Sequence, residues 1–129
     1  MSEPPNEHRR PHMPPMAAPY LELDITGDLE QLHSEPEWRS GQNAKTLVKN
    51  EDLRIVLTAL KAHSRIPEHQ TEGRISIHTV AGHLKVRAQG RTFDLPAGRL
   101  LALDRRLPHD VEALEDSAFL LTIAWPSHK

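Results

Sequence analysis

No cysteine occurs among the 129 residues, which excludes disulfides, thiolate nucleophiles and cysteine zinc sites together. Aromatic side chains are scarce. Tyr20, Trp38, Phe93, Phe119 and Trp125 are all there are, too few for a platform that stacks bases or sugars. Neither charge sign dominates: the net charge is −2, with acids and bases interspersed. A surface that tracks phosphates needs clustered lysine and arginine, so nucleic acid is not an expected partner. No apolar run approaches the roughly 20 residues that cross a bilayer, and the polar N-terminus has no apolar leader core. No membrane partner is expected, and the chain reads as soluble and cytoplasmic. The six glycines sit at turn positions rather than in a phosphate-cradling loop. Ser64, Ser76 and Ser117 lack the Gly-x-Ser-x-Gly setting of an activated nucleophile.

What is present falls into three stretches. Residues 1–19 hold six of the eleven prolines and little to bury, so they read as an extended or disordered arm. Residues 20–42 form an extension expected to pack on the main body of the chain. In it Leu21, Leu23 and Ile25 alternate like a short strand, a short helix begins near Asp28, and Glu35-Pro36-Glu37-Trp38 ends it. Trp38 is expected to pin this extension in place.

From 43 to 126 the chain is written in short β-runs. Strands are expected near 44–49, 53–61, 66–71, 74–80, 83–89, 91–95, 99–103, 109–114 and 117–124. Turns recur every 8–12 residues or so, the mark of an antiparallel sandwich or barrel. Over 83–89, Leu84, Val86 and Ala88 alternate with His83, Lys85 and Arg87, so one face of that strand should be wet. Ile55-Val56-Leu57, Leu100 to Leu103 and Phe119-Leu120-Leu121 are apolar on both faces. Their outer faces need a cover, so a homodimer is expected, in which a second copy of the chain supplies it; the alternative is that residues 20–40 do.

Two histidines stand in a telling register. Counting back from Gly82, His69 lies thirteen positions earlier, with Thr71 and Ile75 between; His109 lies eleven positions after Gly98, preceded by Pro108. These offsets resemble the two motifs of the cupin superfamily, over residues 63–82 and 98–113. The likeness covers about 43–126 and is nearest to small single-domain bacterial cupins of the RmlC-like kind. It implies an all-β fold, an antiparallel jelly-roll barrel, here with a proline-rich N-terminal arm and a short helix.

The full family motif supplies three histidines and a glutamate that hold iron, manganese, nickel or zinc inside the barrel. In this chain only His69 and His109 keep those positions. Thr71 stands where the second histidine belongs, Ile75 where the glutamate belongs, His63 at the opening glycine; Asp104, Arg106 and Ala113 replace the proline, glycine and asparagine of the second motif. Catalytic metals usually have three protein ligands or more. The resemblance therefore implies a small-molecule pocket, with His69, Thr71 and His109 as polar contacts and Ile75, Ile77 and Val111 as apolar wall. The rival expectation is a metal-dependent dioxygenase or isomerase, with His69 and His109 as ligands beside an unrecognised third. Glu68 and Glu72 should face outward, His63 is separated by Pro67, and His78 shares an outward face with Ser76 and Val80. Arg105 and Arg106 flank the expected mouth, and Asp104 suits the cap of a strand turn.

Overall fold

The computed structural model describes residues 18–125. The proline-rich arm expected over 1–19 lies almost wholly outside them. Asp24 starts the first element. Its carboxylate accepts from the Gly27 amide at 3.0 Å, satisfying one of the free donors at the start of helix α1, Ile25–Ser34. The helix therefore begins three residues before Asp28, and Ile25 belongs to its first turn rather than to a strand. No strand forms over Leu21–Ile25, because Leu21 lies exposed and the alternation there has no neighbouring strand to pair with. Glu35 adopts an extended backbone, and Pro36 opens a short 3₁₀ turn, Pro36–Ser40.

Nine strands succeed it: β1 Gln42–Lys49, β2 Leu53–Leu60, β3 Arg65–His69, β4 Arg74–Ala81, β5 His83–Ala88, β6 Arg91–Pro96, β7 Leu100–Leu103, β8 His109–Ala113 and β9 Ser117–Ala124. They form a five-stranded sheet, β1-β2-β9-β4-β7, and a four-stranded sheet, β3-β8-β5-β6, with every pairing antiparallel. The two sheets make a jelly-roll barrel. Its inner faces share one core, built around Leu60, Ile75, Ile77, Val86, Phe119 and Ile123.

Turn chemistry sets the registers. Between β5 and β6, Gln89 (φ 52°) and Gly90 (φ 72°) both take the left-handed region, as a two-residue type I′ hairpin turn demands. Gly82 (φ 78°) is the single residue between β4 and β5. A Cβ there would run into Ser117 and the Asp116 carbonyl, so only glycine fits.

The outer faces differ. On the four-stranded sheet His83, Lys85 and Arg87 face outward as the alternation predicts. Arg87 donates to Asp110 at 3.2 Å and to Glu112 at 2.8 Å; Arg65 reaches Asp110 at 3.0 Å, and His83 meets Asp94 at 2.6 Å. On the five-stranded sheet α1 lies over β1, β2 and part of β9. Leu32, Leu47, Leu57, Ala59 and Ala118 form a second buried cluster, with Leu29 and Trp38 packed on it. Asn43 fastens the helix: its side-chain amide donates to the Leu32 carbonyl and the Glu35 carboxylate, both at 2.9 Å. Val80 of β4 and Leu120 of β9 still pack against this cluster, and beyond them the outer face opens. Across β4 and β7, His78 pairs with Leu100 and Leu120, and Leu100 is 57% exposed.

Candidate functional site

Several chain segments converge at one end of the barrel. Arg74 of β4 and Leu53 of β2 both pair with Ala124 of β9, so the start of β2, the start of β4 and the end of β9 lie level. A four-residue link brings the end of β3 to the start of β4, which sets His69 at that same end. His109 is its direct cross-strand partner. Loops 70–73 and 104–108 close over this end. The Arg106 amide donates to the Thr71 carbonyl at 2.8 Å, and the Arg106 guanidinium pairs with Glu72 at 2.9 Å.

The two imidazoles pack with ring centres 4.4 Å apart and planes tilted by 54°. Each ring is anchored by the carbonyl two residues before it. His69 Nδ1 lies 3.0 Å from the Pro67 carbonyl, and His109 Nδ1 lies 3.0 Å from the Leu107 carbonyl. A carbonyl oxygen only accepts, so both Nδ1 atoms carry the proton. In the neutral rings both Nε2 atoms are then left as acceptors. His69 is half-buried and His109 buried. Burial pushes the His109 pKa below its ordinary value, the Leu107 carbonyl opposes that shift, and the neighbouring His69 adds to it.

The remaining expected site residues divide by depth. Ile75 shares the rim of the inner face with Ile123, whereas Ile77 and Val111 lie one row deeper, fully within the core. Thr71 is buried, and its hydroxyl donates to the Gly73 carbonyl at 3.1 Å. It thus ties the loop and keeps only its lone pairs for a ligand. Glu68 is exposed, and Asp104 caps its turn, accepting from the Arg105 amide at 2.8 Å beside Arg74. That amide, then Arg74, holds its carboxyl below the usual range. The His63 amide bonds to the Ala113 carbonyl at the opposite end of β8, so His63 is remote from His109.

Metal ligation can be tested on this donor set. Nδ1-anchored imidazoles are what a metal asks of histidine. Yet among the described residues no group of three or more His, Asp or Glu gathers to hold an ion. Ile75 offers no lone pair, and Glu72 is engaged with Arg106. Two donors do not fit iron, manganese, nickel or zinc in a catalytic centre.

Three residues at or near this end were not singled out from sequence. Arg54 pairs with Ile123, which in turn pairs with Ile75, so its side chain starts on the inner face at the rim. Trp125 comes directly after β9, packs on the core, and lies under Arg54, whose guanidinium carbon is 5.9 Å from the ring centre. Thr46 pairs with Val56, diagonally beside Arg54, and is buried. The available signal was a single cation at inward parity in the otherwise apolar run Leu53-Arg54-Ile55-Val56-Leu57.

No protein-family profile and no curated protein sequence matches the chain. Solved structures do. A conserved protein of unknown function from Streptococcus pyogenes superposes with a TM-score of 0.70 at 20% identity, over 92% of this chain and 98% of that one. An RmlC-like cupin protein from Desulfovibrio desulfuricans gives 0.62 at 23% identity, over 88% and 97%. Salicylate 1,2-dioxygenase from Pseudoaminobacter salicylatoxidans, in complex with gentisate, gives 0.62 at 17% identity, over 66% of this chain and 25% of that one.

Proposed function

Because the chain has the fold of the cupin superfamily, we propose that it binds a small organic molecule at the His69–His109 end of its barrel. The carrying observation is the imidazole pair: two rings 4.4 Å apart, each fixed through Nδ1 and each keeping Nε2 for a ligand. Hydrogen-bonding groups set over an apolar floor, here Ile75, Ile77 and Val111, are the usual make-up of a ligand pocket. Thr71 shapes its closing loop. A gentisate complex on a structural neighbour supports the reading that this barrel admits small molecules.

The rival reading is a metal-dependent dioxygenase or isomerase. The Nδ1 anchoring favours it and the missing third donor opposes it. One experiment separates them: a fragment screen by NMR on untagged protein, with elemental analysis of the same sample. Fragments that shift the Hε1 signals of both histidines, and fail to bind His109→Ala, support the binding module. Stoichiometric iron, manganese, nickel or zinc, lost in His109→Ala, would sink it in favour of the enzyme.

The uncovered stripe on β4, β7 and β9 supports a homodimer. It presents the exposed Leu100 and Ala102 beside His78, with the half-buried Leu120 at its border, and an exposed apolar stripe of this kind is what an isologous contact buries. Among the described residues no helix is long and apolar enough to cross a membrane. We propose a cytoplasmic location for this binding protein.

A further inference from the structure

The geometry points to Arg54 as a fixed cationic clamp facing the histidine pair, and hence to a carboxylate as the ligand class of this pocket. The inference rests on the binding reading above and adds what the ligand must carry.

The position comes from topology. β2 passes to β3 through only four residues, so the β1–β2 side of one sheet stands over the β3–β8 side of the other; β6 and β7 meet at the opposite edge. Arg54 is the rim residue of β2 on the inner face, while His69 and His109 are the rim residues of β3 and β8. Cation and imidazoles therefore face one another across the mouth.

The chemistry comes from what Arg54 lacks. Its Nε is buried without a hydrogen-bond partner. None of the ion pairs among the described residues gives it a carboxylate. The acid on the closing loop, Glu72, is taken by Arg106. A cation–π contact with Trp125, 5.9 Å from the guanidinium carbon to the ring centre, keeps the group near that wall, and its Nε–H is left for an acceptor. Thr46, diagonal to it and 4% exposed, also has a buried hydroxyl without a partner. A buried donor left unmade is costly, and two together on one wall call for an acceptor with two oxygens. A carboxylate meets the guanidinium edge with two parallel hydrogen bonds and supplies the missing negative charge. The opposite end of such a ligand would lie towards the histidine Nε2 atoms.

The test uses full-length protein with labelled histidine, titrated with benzoate and acetate and with their neutral partners benzamide and acetamide. The expected result is that an acid shifts the Hε1 signals of His69 and His109 and binds at least about tenfold tighter than its amide, the value of one charge-assisted pair. Arg54→Gln should remove that preference, bringing acid and amide to similar affinities. Arg54→Lys, which keeps the charge but loses the two-pronged edge, should retain part of it. An amide that binds as well as its acid, or a preference that survives Arg54→Gln, overturns the clamp and leaves the pocket standing. If none of the four compounds reaches the imidazole signals, the clamp and the pocket reading fall together. If Arg54→Gln does not fold, Arg54→Lys carries the test: a full acid preference in that variant overturns the two-pronged clamp, and a reduced one supports it.

Discussion

At the scale of single residues the mouth is governed by groups that are satisfied on one side only. His109 is the clearest. With its pKa lowered by burial, the folded chain holds fewer protons on this ring than the unfolded chain does once pH falls through the ordinary histidine range near 6.5. Stability is therefore expected to be full above about pH 6.5 and to decline below it, until the folded ring itself protonates. Melting temperatures from pH 8 to 5 should show that acid-side fall, and His109→Gln should flatten it. An unchanged slope would mean other groups dominate. Arg54 predicts the opposite kind of result. Replacing a half-buried cation whose Nε has no partner removes an unsatisfied group, so Arg54→Met should melt no lower than the unmodified protein, whatever it does to binding. A fall of several degrees would show that the guanidinium is structurally engaged. Stability and function often trade in this way at sites held ready for a ligand.

Among the elements, α1 is the one whose removal is easiest to forecast. Leu32 is fully buried between the helix and β1–β2, so Leu32→Ala should cost about 2–5 kcal/mol, read from the denaturant midpoint. The strands were legible in the sequence because turn residues punctuate them: Gln89-Gly90, Gly82 and Pro96-Ala97-Gly98 each fall where a reversal occurs. The helix start was not, since Leu21, Leu23 and Ile25 fit an alternating strand as well as a helix approach, and Asp24 as a cap is visible only once the Gly27 amide is seen to reach it. The facing of His69 and His109 followed from motif register, which counts residues. The role of Arg54 did not, because which residue of a doubly apolar strand looks inward depends on pairing with Ile123, a partner 69 positions away.

For the whole molecule, the unevenness of the outer surfaces matters most. One sheet is wet and laced with ion pairs, each worth little by itself; the other is half covered by α1 and half open. If the open half is a subunit contact, Leu100→Lys should convert a dimer to a monomer by light scattering while leaving the melting curve of the barrel nearly unchanged. A monomeric mass for the unmodified chain would instead make the stripe free surface. The cover on the other half hangs on a small group. Asn43 offers its amide nitrogen to an oxygen on each side, one a carbonyl and one a carboxylate. Exchange that nitrogen for oxygen, as slow hydrolysis of an ageing asparagine or a designed Asn43→Asp would, and three acceptors face each other with no hydrogen among them. The clasp would then push α1 away, baring Leu57 and Ala118, so chemical ageing at this one amide would show first as stickiness rather than as lost binding.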